Sequence, residues 1–107
     1  MYKNIDKETV LNLAELTDYQ DGQIVSKTLV QNEKISITLF AFDKGEEIST
    51  HESDGDALVT VLDGTGRFTV GANVFVLKQG DSIVMPRRLP HAVFAQERFK
   101  MQLTVSF

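Results

Sequence analysis

The chain has 107 residues and a mass of 12.0 kDa, with 42% hydrophobic and 24% charged residues, which predicts one globular domain rather than a disordered chain. It has no cysteine, so disulfides, thiolate zinc sites, iron–sulfur clusters and cysteine nucleophiles are excluded. Eleven Lys and Arg against fifteen Asp and Glu give a formal charge of -4, and the only basic cluster is Arg87-Arg88, which argues against a nucleic-acid partner.

In chain order, Asn4 to Leu16 is the one helical candidate. Val10, Leu11, Leu13, Ala14 and Leu16 make no clean stripe, so a single short turn of helix is expected. No run reaches the ~18 apolar residues of a membrane span. Met1 to Asp6 lacks the apolar core of a signal peptide, so a cytoplasmic protein without a membrane partner is expected. Tyr19-Gln20-Asp21-Gly22 reads as a turn, and from Gln23 the pattern changes to strands. Ile24–Val30 is rich in β-formers and Gln31–Lys34 breaks it. Ile35–Phe42 begins with the alternation of a half-buried strand, and Asp43-Lys44-Gly45 turns the chain.

Six acids, from Asp43 to Asp56, then stand against Lys44 alone, as a solvated loop or an acidic rim. Ala57–Leu62 is a short apolar run that Asp63-Gly64-Thr65-Gly66 closes. Arg67–Val70 and Val74–Leu77 flank Gly71-Ala72-Asn73 as a hairpin. Ser82–Met85 stops at Pro86, and His91–Ala95 and Phe99–Phe107 follow. About eight short strands at short spacing predict an all-β sandwich or barrel, and the lack of crossover helices disfavours a parallel α/β fold. Residues 1–22 are expected to form an N-terminal extension and residues 23–107 one β-barrel domain.

The chain's two histidines, His51 and His91, each sit where a turn feeds a strand. Histidine is the common neutral metal ligand, yet a lone histidine is more often structural. The residues around them carry more. Gly45, five residues and then His51 lead to Gly64; fifteen residues further on, Gly80, five residues and Pro86 lead to His91. This register resembles the two signature motifs of the cupin superfamily, over about Gly45 to Ala95. The resemblance implies a cupin-type double-stranded β-helix, a jelly-roll barrel. In metal-binding cupins three histidines and one glutamate hold the ion. Position by position, His51 and His91 match two of the four, while Ser53 stands for the second histidine and Ala57 for the glutamate. Arg88 replaces the glycine after the proline, and Ala95 the closing asparagine. The resemblance also implies a homodimer, with Ile24–Val30 as the candidate strand for pairing between protomers.

Strand alternation turns His51, Ser53, Ala57, Val59 and Val61 to one pocket, faced by His91, Val93 and Ala95. Gln102 is a further candidate for that pocket, with surface exposure as its plainer reading. Two histidines fall short of the three or four protein ligands of a tight site. A replacement carboxylate would have to come from Glu47, if its strand runs straight back from His51, or from Glu52 or Asp54 if it bulges. The first functional reading is therefore a small organic ligand in the barrel with weak or absent metal. The alternative is a metal-dependent enzyme of dioxygenase, isomerase or decarboxylase type on a small organic acid or sugar. Iron, manganese, nickel, copper or zinc would then sit on His51, His91 and Glu47 or another acid. Whether the chain is an enzyme stays open. Arg87-Arg88 reads as a solvated loop or an anion contact, and Met85 and Met101 as core or interface.

Overall fold

The computed structural model describes residues 1–107, in eight strands: β1 (Ile24–Gln31), β2 (Ile35–Phe42), β3 (Glu47–His51), β4 (Asp56–Val70), β5 (Asn73–Lys78), β6 (Ser82–Met85), β7 (His91–Phe94) and β8 (Phe99–Ser106). Every pairing is antiparallel and the sheet path runs β1-β2-β8-β4-β7-β3, with β5 and β6 also on β4. The all-β expectation holds, and the sheet curls into the jelly roll. The expected helical turn is a single 3-10 turn at Leu13–Glu15, capped by the Asn12 side chain, which accepts from the Ala14 N–H.

The strands are not the expected eight. Ala57–Leu62 and Arg67–Val70 are two parts of one 15-residue strand, and Asp63-Gly64-Thr65-Gly66 does not turn the chain. The first half of β4 pairs with β8 and β6, the second half with β5 and β7. The strand thus passes from one layer to the other, and its register against β8 shifts between Val61 and Asp63, as a bulge that bends a strand does. Glycine is needed here for room. Gly64 has φ +72°, and a Cβ on it would lie 1.8 Å from the carbonyl oxygen of Arg98. The missing strand is β3, whose Glu47-Ile48-Ser49-Thr50-His51 is largely exposed at the end of the sheet path.

Two cores result. Phe42, Phe68 and Phe99 centre the larger one, between the layers; Phe42 stacks on Phe99 at 4.5 Å between ring centroids. The smaller holds Leu29, Val30, Ile37 and Leu39, closed from outside by Ile5, Leu13 and Leu16 of the extension. Strand β2 is therefore covered on both faces, which is why its alternation fades. The extension is also tied by polar bonds: Tyr19 donates to Asp63 and Lys100 donates to the Ala14 carbonyl. Burial and the Asp63 carboxylate together push the Tyr19 hydroxyl well above its ordinary range. The Gly22 N–H, with the Arg98 guanidinium, holds Asp43 below the usual carboxylate range. The Lys3 N–H and the Asn4 amide donate to the Leu29 and Thr28 carbonyls, covering part of the outer edge of β1.

Replacing Gly64 by Ala is expected to cost about 3 kcal/mol or more, since backbone must move. Gly45→Ala, where φ is +87° and no atom lies within 4 Å, is expected to cost about 1 kcal/mol from conformation alone. Urea unfolding of the two variants checks the ordering; equal losses would show that Gly64 is not a steric requirement.

Candidate functional site

The site is built where β3 meets β7. Their register runs Glu47↔Phe94, Ile48↔Val93, His51↔His91, so β3 spends one extra residue between Ile48 and His51. This bulge inverts the side-chain parity upstream of His51. Ile48 therefore turns inward with His51, and Glu47 lies exposed and away from the pocket. The assignment of Glu47 as the third ligand is corrected on that ground: the strand does not run straight back.

The two histidines meet closely. Their Nε2 atoms are 3.1 Å apart and the rings stand edge to face, with centroids 4.3 Å apart and planes at 68°. His91 is buried, 3% exposed, and His51 sits more openly opposite it. Each Nδ1 lies against a backbone carbonyl two residues back: His51 on Ser49 at 2.9 Å, His91 on Leu89 at 3.0 Å. A carbonyl only accepts, so each Nδ1 carries the proton and donates. In the neutral ring the Nε2 atom is then a bare lone pair. Two such lone pairs pointing at each other repel. A shared proton, a donor on a ligand, or a cation placed between them removes the repulsion.

The cavity beneath the pair has a volume of about 270 Å³. His51, Ser53, Ala57, His91 and Val93 line it as the alternation predicts. Four predicted residues do not. Val61 and Ala95 are buried in the larger core instead. Val59 is fully covered within the larger core. Gln102 is displaced by one position of parity: Met101, Leu103 and Val105 take the inner face of β8, leaving Gln102 half-buried on the other. Sequence reasoning missed Ile48, Leu103 and Val105 as lining residues, named Glu52 only as a ligand should its strand bulge, and assigned Met85 and Met101 to core or interface. For β8 the signal was the alternation itself, begun one residue off.

The rim is held by backbone bonds. The Arg88 N–H donates to the Ser53 carbonyl at 2.9 Å and the Arg87 N–H to the Asp56 carboxylate at 2.8 Å, so the segment after Met85 is clamped to the segment after His51. Arg88 has φ +60°, the left-handed region where a side chain is strained. Ser53 Oγ accepts from the Gly55 N–H at 3.2 Å, the bond of a turn residue. Glu52 lines the mouth, but nowhere do three or more His, Asp or Glu side chains come together as a metal cluster. Two imidazole nitrogens fit a cation; Glu52, the acid expected to serve if β3 bulges, lines the same cavity without joining them in a cluster of three ligands.

Comparison with known proteins agrees with this architecture. A family model described as a cupin domain matches residues 38–107. A conserved protein of unknown function from Streptococcus pyogenes superposes with a TM-score of 0.96 at 41% identity, covering 98% of this chain and 92% of that one. A cupin superfamily protein from Desulfitobacterium hafniense gives 0.95 at 32% identity, covering 100% and 98%. A cupin 2 conserved barrel domain protein from Leptotrichia buccalis gives 0.89 at 48% identity, over 91% of this chain but 47% of that chain, so this chain spans about half its length. No curated protein matches the chain. No helix is long and apolar enough to cross a membrane.

Proposed function

The chain belongs to the cupin family, and from that premise we propose that it is a cytoplasmic protein binding a small organic molecule in the barrel. The observation that carries this reading is the contrast within one cavity. Its walls are apolar (Ile48, Ala57, Met85, Val93, Met101, Leu103 and Val105), and its polar residues cluster beside the histidine pair. Such a site, apolar with a few convergent polar groups, suits a compact ligand. At about 270 Å³ it is smaller than most drug-sized pockets, so the ligand is small. The two Nε2 lone pairs call for a donor, so its polar end is a hydroxyl, amide or amine. Binding satisfies both imidazoles at once and buries the apolar body of the ligand against Ala57 and Val93.

The test is a screen of small phenols, amides and amines, read by chemical-shift changes of the Val93 and Leu103 methyls and the histidine rings. Hits are expected to act on both groups together. Ala57→Leu, which fills the floor with three added carbons, is expected to weaken every hit at least tenfold, about 1.4 kcal/mol. No cavity shift from any probe, or hits indifferent to Ala57→Leu, would reject the reading.

A second reading is favoured by the convergence of the two Nε2 atoms. His51 and His91 would hold a metal ion such as iron, manganese, nickel, copper or zinc, with the remaining positions left to water or ligand. The ion would supply a Lewis acid facing the cavity, as a dioxygenase, isomerase or decarboxylase on a small organic acid or sugar requires. The residues' own part is to aim two nitrogens, through the Ser49 and Leu89 carbonyls, and to keep bulk water from the apolar walls. On this reading a metal at 100 times its Kd raises stability by about 2.7 kcal/mol. A thermal-shift series with these metals is expected to show that gain in the wild type and not in His51→Ala or His91→Ala. No gain with any of them sinks the reading.

The protein is proposed to act as a homodimer. Strand β1 ends the sheet path with one edge unpaired by another strand, and Lys3 and Asn4 cover it only at Thr28 and Leu29. Ile24–Lys27 is left to pair with a second copy. Light scattering is expected to give twice the 12.0 kDa chain mass; a monomer overturns this.

A further inference from the structure

The two layers end in four strands, each with one edge that no strand pairs: β1 and β6 in one layer, β3 and β5 in the other. A bare edge is a template for another chain unless it is short, charged or covered. Three of the four are blunted in this way. β6 has four residues. β3 has five and carries Glu47. β1 carries Lys27, and Lys3 and Asn4 cover part of it.

β5 has none of these protections. Asn73-Val74-Phe75-Val76-Leu77 holds no charge before Lys78, and the strand pairs with β4 alone. Val74 and Val76, on the outer face, are 59% and 56% exposed. Phe75 shares the inner face with Leu77 and stands in register with Phe68. Those two are buried, yet Phe75 is 41% exposed. It lines a groove of about 580 Å³ that runs from β5 to Ser82 and Ile83 of β6. An apolar strand bare on both faces and along its edge is covered best by another strand.

We propose that β5 pairs with β5 of a second copy, antiparallel about a two-fold axis at Phe75. Residues directly opposite in a sheet share a face, so outer positions must meet outer ones. Centred on Phe75, Val74 stands opposite the second copy's Val76, twice over, and Phe75 opposite Phe75. The four valines then cover one another on the outer face, and the two rings meet on the inner face. Lys78 falls opposite Ala72, so no like charges come into register. Centring on Val76 would set Lys78 against Val74, and centring on Val74 would set Asn73 against Phe75. β1 and β5 belong to different layers, so this pairing is separate from the one proposed for β1 and does not rest on it. Six residues a copy is well under the ~20 a side of a standard interface, so the contact is weak and depends on concentration.

The chain has no cysteine, so an introduced thiol reports on one contact. Opposite residues lie about 4.5–5.5 Å apart at Cα, within reach of a disulfide, and diagonal ones at about 7–8 Å lie beyond it. Under mild oxidation at high protein concentration, Val74→Cys mixed with Val76→Cys is expected to give a disulfide-linked dimer, and neither variant alone. Light scattering over a concentration series is expected to show the mass rising. The double variant Val74→Lys/Val76→Lys sets lysines opposite each other in both pairs, and is expected to move that rise to at least tenfold higher concentration. Both positions are exposed, so the variants are expected to unfold at the wild-type temperature. No cross-link, cross-linking by one variant alone as readily as by the mixture, or a mass series that the lysines leave unchanged overturns the proposal. A dimer that survives both dilution and the lysines belongs to the β1 reading, and with no further rise above it the β5 proposal falls.

Discussion

The structure depends on one strand serving two layers. β4 pairs with β8 and β6 over its first half and with β5 and β7 over its second. An ordinary strand passing between layers would set a side chain against the neighbouring backbone. Gly64 removes that side chain where the Arg98 carbonyl comes closest, and Gly66 does so against the ring of Phe99. The bulge at Val61–Asp63 adds the bend. Because β4 stays continuous, Ala57 near its start and Val70 at its end belong to one rigid element. Val70 is in register with His91, and Ala57 with Met85, so the strand fixes both sides of the cavity from a single backbone.

The histidine pair shows how backbone can set side-chain chemistry. Neither ring is oriented by a carboxylate. Each is oriented by a carbonyl two residues earlier in its own chain segment, and each carbonyl selects the same tautomer. Two identical local devices on neighbouring strands therefore produce two acceptors aimed at one point. The apolar wall below them strengthens whatever electrostatic contact forms there, since little water competes.

Much of this was legible in the sequence, and the misses have physical causes. The glycine, proline and histidine register gave the cupin fold, because turns and close approaches demand particular residues at fixed separations. Asp63-Gly64-Thr65-Gly66 was read as a turn because glycine marks turns and tight crossings alike. β3 went unseen because an exposed strand at the end of a sheet has no apolar face to alternate. Glu47 was misplaced by a bulge that no pattern of five residues reveals, and Gln102 by one step of parity on β8. The last two are errors of register, and register is set by the partner strand.

Phe42 and Phe99 are stacked and in register across β2 and β8, yet most of the chain lies between them in sequence. β8 is inserted between β2 and β4, so neither neighbour has its full set of backbone partners until residues 99–106 are in place. Contacts of such long sequence separation put a chain among the slower single-domain folders, in the millisecond-to-second range of β-rich topologies. On the ribosome the first ninety or so residues must wait with the aromatic core unformed. The price of a barrel closed by its last-made strand is a nascent chain that cannot join its layers until β8 emerges.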